Sequence, residues 1–179
     1  AYKNEGKTWV QAGQPSAGNG AVMRIAPVLI PHLRRPTAAL WADAALAGMI
    51  THNDPASNAC CVAFIHLLWE CLRRQDVPEP MWWLDTFTEA ASQLEGLTEY
   101  ASRISGNSYK GPLWKFVDQQ VRRAITEQPS TLEACERWHS GAYLMETMPC
   151  VLYILARYGH DSEEAVVRAV NDTKDNDTV

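Results

Sequence analysis

The final segment of the sequence carries oxygen ligands of the kind that hard metal ions prefer. Asp175, Asp177 and Thr178 place two carboxylates and one hydroxyl within four residues. Such oxygens suit Mg²⁺, Mn²⁺ or Ca²⁺. The glycine and the later glutamate of an EF-hand calcium loop do not follow, so the pattern predicts a different oxygen-rich site. The competing interpretation is a solvated acidic tail.

A second segment, residues 16–20, has the composition of a ligand-binding loop. Gly18 and Gly20 flank Asn19, and glycine permits positive φ and a close approach of the backbone to a ligand. An apolar stretch begins at Ala21, so we expect the loop N–H groups to lie at a helix N-terminus. That arrangement binds phosphate, although an ordinary turn before a helix has the same composition.

Helical patterns dominate the rest of the sequence, and these helices must position both segments. Apolar residues recur at helical spacing, and no stretch alternates with period two. Asp54 followed by Pro55 predicts the N-cap and first turn of a long, largely buried helix. We predict helices over residues 37–50, 56–74, 81–93, 115–126, 143–158 and 162–169, and a short one capped by Ser130 or Thr131.

Two prolines and one long loop complete this prediction. Pro36 suits the first turn of the first helix, and Pro149 predicts a kink or a start in the helix over residues 143–158. Residues 96–112 form an irregular stretch that predicts a long, functional loop. The sequence therefore indicates an all-α bundle, with residues 1–179 in a single domain.

The composition excludes several classes of protein. The 179 residues have a mass of 20.0 kDa, 46% hydrophobic and 21% charged residues and a net charge of −5, which rules out disordered, collagen-like and disulfide-scaffold chains. The acidic charge and the absence of a basic stripe argue against nucleic acid as the main partner. The apolar runs are far shorter than the roughly 20 residues of a membrane span, and no signal peptide is recognisable.

The cysteines predict core packing rather than chemistry. The five are Cys60, Cys61, Cys71, Cys135 and Cys150. Their number is odd and no CxxC spacing occurs, so a structural zinc site is not expected. Free cysteine among apolar neighbours packs as a small hydrophobe, and a reactive or metal-binding thiol is the alternative. A reducing, cytoplasmic location follows as an expectation.

Four short motifs span nearly the whole sequence. They are Gly18-Asn19-Gly20-Ala21-Val22-Met23-Arg24 with Pro27, Thr51-His52-Asn53-Asp54-Pro55, Ser140-Gly141-Ala142-Tyr143 with Thr147 and Pro149, and Glu164-Ala165-Val166 followed by Asp175-Asn176-Asp177-Thr178. In this order and at this separation they resemble the ADP-ribosylglycohydrolase family. That family includes the dinitrogenase reductase-activating glycohydrolases and the eukaryotic ADP-ribosyl-acceptor hydrolases.

The resemblance implies a compact orthogonal multi-helix bundle and a metal-dependent hydrolase. Such an enzyme removes ADP-ribose from protein or small-molecule acceptors by cleaving a glycosidic bond. Family members also carry an earlier Gly-rich helix with a Thr-Asp-Asp metal motif, and a small-residue helix after the Asp-x-Asp-Thr motif. We therefore expect this sequence to be an interior part of the family domain.

The resemblance also implies roles for individual residues. Asp175, Asp177 and Thr178 resemble ligands of a two-Mg²⁺ centre, where Mn²⁺ is also possible, and Asp175 and Asp177 would be catalytic. The expected substrate-binding residues are Ser16, Gly18, Asn19 and Gly20 at the diphosphate, His52 near the ribose or phosphates, and Tyr143 stacked on the adenine. The alternative for His52 is a buried histidine at a helix end that bonds to a backbone carbonyl. The alternative for Tyr143 is an aromatic residue of the core.

Two residues depart from the family pattern. Lys174 precedes Asp175, and Asn176 lies between the two aspartates. Lys174 places a cation beside the expected metal site unless it points away or pairs with Asp172. These departures keep two further hypotheses open: a member that binds ADP-ribose or a nucleotide without turnover, and a crystallin-like member that is purely structural. The acceptor and the oligomeric state are not predicted.

Overall fold

The computed structural model describes residue 6, residues 8–35 and residues 37–179. Pro36, predicted in the first turn of a helix, lies outside the described residues. Seven α-helices form most of the described chain: α1 Ala39–Met49, α2 Pro55–Arg73, α3 Pro80–Glu95, α4 Leu113–Glu127, α5 Thr131–Trp138, α6 Leu144–Tyr158 and α7 Ser162–Asn171. The all-α class predicted from the sequence is confirmed.

The remaining elements are short. Three 3₁₀ helices cover Trp9–Gln11, Val22–Arg24 and Ala26–His32. Within the long loop predicted over residues 96–112, strands β1 (Tyr100–Ala101) and β2 (Lys110–Gly111) pair antiparallel, Tyr100 opposite Gly111. This hairpin was not predicted, because two-residue strands are too short to show an alternating pattern.

Side-chain caps explain where three helices begin. The Asp54 carboxylate accepts a hydrogen bond from the Ser57 N–H at the start of α2. Ser130 and Glu133 form a reciprocal capping box at α5, and the Asp161 carboxylate accepts from the first N–H groups of α7. Each cap satisfies N–H groups that have no partner inside the helix, and the predicted caps at Asp54 and Asp161 are confirmed.

Helix α6 is the most deeply buried element of the described chain. It packs against α3, α4, α5 and α7, and eleven of its residues are buried. The helix runs without interruption through Pro149, so the predicted kink or start at this proline is not observed as a helix boundary. The start of α6 is thus anchored in the core, which matters because the candidate site lies there.

Helix α2 packs mainly against α1 and α3. By length and composition alone its 19 residues are apolar enough to cross a membrane, with a mean hydropathy of 1.2. Eight of them are buried inside the fold, as in the central helix of a globular bundle. The expectation that no segment spans a membrane stays a prediction.

All five cysteines are free thiols. Four are buried and Cys71 is half-buried, which agrees with the predicted packing role. Burial raises the pKa of Cys60 and of Cys150, and it raises the pKa of Cys61 to about 12. A raised pKa keeps the thiol protonated, so these groups are poor nucleophiles and poor metal ligands at neutral pH.

Candidate functional site around Asn19

Segments from three of the four motifs meet at the side chain of Asn19. The Asn19 Nδ2 lies 3.1 Å from Thr147 Oγ1, 3.2 Å from Asp175 Oδ2 and 2.9 Å from Thr178 Oγ1. Asn19 itself is only 5% exposed. We call these four residues the Asn19 cluster. Since partners lie up to 159 positions away along the chain, only the tertiary fold brings them together.

Backbone pairing holds the loop over residues 16–20 against the start of α6. The Asn19 N–H donates to the Ala142 carbonyl at 2.8 Å, and the Leu144 N–H donates to the Ala17 carbonyl at 2.9 Å. Gly18 and Tyr143 thereby form an antiparallel bridge. The buried helix α6 therefore fixes the position of the loop.

The imidazole of His52 explains why this loop needs glycines. A Cβ on Gly18 would lie 3.2 Å from His52 Nε2, and one on Gly20 would lie 2.9 Å from His52 Cε1. Neither glycine has positive φ. The positive φ expected here is therefore wrong, whereas the expected close approach to a ligand stays a prediction. The structure adds a close approach of the His52 ring.

His52 itself is half-buried and bonded to a side chain. Its Nδ1 lies 2.9 Å from Thr51 Oγ1, and the Thr51 hydroxyl also accepts from Arg24 Nη2 at 2.5 Å. Burial lowers the pKa of His52, the Arg24 cation lowers it further, and Asp54 opposes the shift. The ring is therefore neutral near pH 7, and Nε2 faces the two glycines of the loop.

The loop does not open a long helix. It continues into the three-residue 3₁₀ helix Val22–Arg24, so the expected helix N-terminus for a phosphate is not formed. The Gly18 N–H donates to Ser16 Oγ at 3.3 Å. Among the described residues the Gly20 N–H has no hydrogen-bond partner, which leaves it free for a ligand.

Ser140 attaches the C-terminal motif to the same place. The Asp175 N–H donates to the Ser140 carbonyl at 3.1 Å, and the Lys174 N–H donates to Ser140 Oγ at 3.0 Å. Ser140 is 1% exposed with φ of 38°, a left-handed conformation that its neighbours must hold in place. Ser140 thus holds the Asp175 backbone, and Asn19 contacts the Asp175 carboxylate.

Among the described residues Lys174 forms no ion pair with either aspartate of the motif. Its Nζ lies 3.1 Å from His139 Nδ1. Asp172, the partner considered from the sequence, instead faces Arg168 at 3.7 Å. The lysine charge is therefore directed towards the His139 side of the turn.

The donor set of residues 175–178 fits one hard cation. Mg²⁺ commonly takes one or two carboxylates from a protein and completes its shell with water and substrate oxygens. Asp175 is half-buried and Asp177 is exposed, so both carboxylates can reach solvent-borne ligands. Within the described residues no group of three or more His, Cys, Asp or Glu side chains is arranged for a metal ion. Ligands for a second ion are not brought together here.

Tyr143 lies beside the loop with its ring covered. It is 8% exposed, and the Arg103 guanidinium sits 4.3 Å from the ring centroid. Burial raises the pKa of Tyr143, and the Arg103 cation opposes the shift. Adenine stacking on this face stays a prediction, and it requires Arg103 to move. The sequence carried no signal for Arg103, which comes from an irregular loop.

Comparison with known proteins adds the family. A family model described as ADP-ribosylglycohydrolase matches residues 1–179. The chain belongs to the ADP-ribosylglycohydrolase family. No curated protein and no solved structure matched the chain. Membership confirms the family resemblance of the sequence and supports a hydrolase acting on ADP-ribose conjugates.

Proposed function

We propose that this protein removes ADP-ribose from ADP-ribosylated protein or small-molecule acceptors in an Mg²⁺-dependent hydrolysis. The bond cleaved is the one at the anomeric carbon of the distal ribose. The observation that carries the proposal is the Asn19 cluster, in which one buried amide ties the glycine loop, α6 and the Asp175 segment together. If the glycine loop, α6 and the Asp175 segment lay far apart, they could not bind one substrate together.

The loop and His52 supply the contacts for the diphosphate. The Gly20 N–H is free among the described residues, and backbone N–H groups are good phosphate ligands. Because the Thr51 hydroxyl accepts from Arg24, we assign its own hydrogen to His52 Nδ1. Neutral His52 then carries its proton on Nε2, where it can donate to a phosphate or ribose oxygen.

Residues 175–178 supply the contacts for the distal ribose. Asp175, Asp177 and Thr178 would hold Mg²⁺, which when bound acts as a Lewis acid towards coordinated oxygens. The two carboxylates also stabilise the positive charge that develops on the sugar in an oxocarbenium-like transition state. Asn19 keeps the Asp175 carboxylate in place, so we assign Asn19 as a positioning residue as well as a part of the loop.

A second candidate function is binding of ADP-ribose without turnover. Among the described residues Asp177 forms no hydrogen bond and no ion pair, and no cluster of three acidic or imidazole ligands exists. Glycosidic hydrolysis needs correctly placed carboxylates, whereas binding needs only the loop and His52. The two functions share the same site and differ in chemistry.

Release of ADP-ribose from an ADP-ribosylated protein separates these functions. We expect release with Mg²⁺, little release with a chelator, and a loss of about 100-fold or more in Asp175→Asn. Asp172→Asn is the matched control, because Asp172 is in the same segment but faces Arg168. Mg²⁺-dependent release that survives in Asp175→Asn would overturn the metal assignment. Binding of ADP-ribose without any release would favour the second candidate.

A further inference from the structure

Three acidic residues are buried in the described chain, and the carboxylate of one of them has no protein partner among the described residues. Asp54, Glu95 and Glu146 are 8%, 4% and 6% exposed. Asp54 accepts from Ser57 N–H and Tyr100 O–H. Glu95 accepts from the N–H groups of Leu113 and Trp114 and from the Thr98 hydroxyl. No hydrogen bond or ion pair reaches the Glu146 carboxylate from the described residues.

The Glu146 side chain lines an open pocket of about 530 Å³. The other lining residues are Arg103, Ile104, Ser105, Glu136 and His139, and we call this the Glu146 pocket. Arg103, Glu136 and His139 are exposed and form its rim, whereas Glu146 is buried. The pocket is therefore polar at its opening and has a carboxylate at its base.

Gly141 leaves room for that carboxylate. A Cβ on Gly141 would lie 2.5 Å from Glu146 Oε2, so a larger residue here would displace the end of the Glu146 side chain. Glu146 also lies in the first turn of α6, where the helix dipole favours a negative charge. The dipole accounts for the charge being tolerated, but it provides no donor for the two oxygens.

The cations near the pocket are engaged elsewhere. The Arg103 guanidinium lies over the Tyr143 ring, and Lys174 Nζ contacts His139 Nδ1. Neither forms an ion pair with Glu146 in the described structure. The Glu146 oxygens reach the open pocket and meet water there instead of a protein donor. A cation that enters this partly enclosed pocket is attracted to the unpaired carboxylate more strongly than it would be at a fully exposed one.

We propose that the Glu146 pocket is a binding site for an organic cation, with a guanidinium group seated on the Glu146 carboxylate. A guanidinium meets a carboxylate through two parallel N–H bonds and gives up its hydration readily. A metal ion fits less well, because no group of three suitable ligands exists among the described residues. The proposal is independent of the proposed hydrolysis, since the ADP-ribose diphosphate is an anion and this carboxylate repels it.

Methylguanidinium is the probe, and methylurea is its neutral control of similar shape. In a calorimetric or NMR titration of the whole chain, methylguanidinium should bind saturably at millimolar concentration and methylurea should not. Glu146→Gln should weaken methylguanidinium binding by about 10-fold or more, because the charged acceptor is lost. Glu136→Gln, which removes an exposed carboxylate from the rim, should change the affinity by less than about 3-fold.

Three results would overturn the proposal. One is equal binding of methylguanidinium and methylurea to the wild-type chain, a comparison that does not depend on any variant folding. The second is an unchanged affinity in a folded Glu146→Gln. The third is binding that appears only in Arg103→Ala, which would assign Arg103 as the internal partner of Glu146.

Discussion

Glu95 and Glu146 are two buried glutamates with opposite surroundings. Glu95, the last residue of α3, accepts from Leu113 N–H at 2.6 Å and Trp114 N–H at 2.8 Å and so caps the start of α4. Glu146, in the first turn of α6, faces an open pocket with no donor from the described residues. Burial of the residue alone therefore does not distinguish a structural carboxylate from one that is available to a ligand. The hydrogen-bond partners do.

The largest effect on stability is expected at Glu95. Glu95→Gln keeps the shape but replaces one accepting oxygen by an amide NH₂, so a buried backbone N–H at the start of α4 loses its partner. We expect a loss of about 2–3 kcal/mol in the free energy of unfolding, measured in urea at pH 7. A loss below about 0.5 kcal/mol would show that the Glu95 carboxylate does not stabilise the start of α4.

The Asn19 cluster should show the next largest effect. The Asn19 Nδ2 has two hydrogens, which are shared among the three neighbouring oxygens. Asn19→Ala removes both donors, and we expect a loss of about 1–3 kcal/mol. Asn176→Ala is the matched control, because Asn176 is an exposed asparagine in the same motif as Asp175. Equal urea midpoints for the two variants would show that the cluster does not hold the segment.

The effect at Glu146 should be small or of opposite sign. Glu146→Gln removes a charge that faces the open pocket and no hydrogen bond from the described residues, so we expect a change within about 0.5 kcal/mol or a gain in stability. The free energies of unfolding of Glu146→Gln and Glu95→Gln should be measured in the same buffer and denaturant, so that the two losses can be compared directly. A loss as large as that of Glu95→Gln would contradict the account.

His52 should give the weakest signal, seen as a pH dependence. Its pKa is lowered in the fold, chiefly by burial and then by Arg24, so the unfolded chain binds more protons below about pH 6.5. Stability should therefore be complete above that pH and decrease as the pH falls towards the lowered folded value. In His52→Gln, the urea midpoint should lose this part of its slope between about pH 5 and 7, and an unchanged slope would assign the dependence to other groups.

Local signals explain how much of the fold was predictable. Asp54-Pro55 and Asp161 specify helix starts through bonds within a few residues, so the sequence alone indicated α2 and α7. The family resemblance of the motifs also indicated segments that the structure places close together. The Asn19 contacts were not predictable, because they join residues 128 to 159 positions apart. The need for glycine at Gly20 likewise depends on a ring from a distant residue, His52.

The Glu146 pocket could not be predicted from the sequence, for a different reason. A glutamate in the first turn of a helix is an ordinary N-terminal residue by pattern. Glu146 differs from such a residue because no hydrogen-bond donor from the described structure reaches its carboxylate. Arg103 likewise comes from a loop without a periodic pattern, so nothing in the sequence placed it over Tyr143.

The most direct test of the central claim is the melting temperature of this chain with ADP-ribose, with and without Mg²⁺. A ligand at about one hundred times its dissociation constant adds roughly 2.7 kcal/mol, which is about 5–10 °C for a chain of this size. We expect a shift of this size that needs both ADP-ribose and Mg²⁺ and that is lost in Asn19→Ala. An unchanged melting temperature with saturating ADP-ribose and Mg²⁺ would contradict an ADP-ribose site around Asn19.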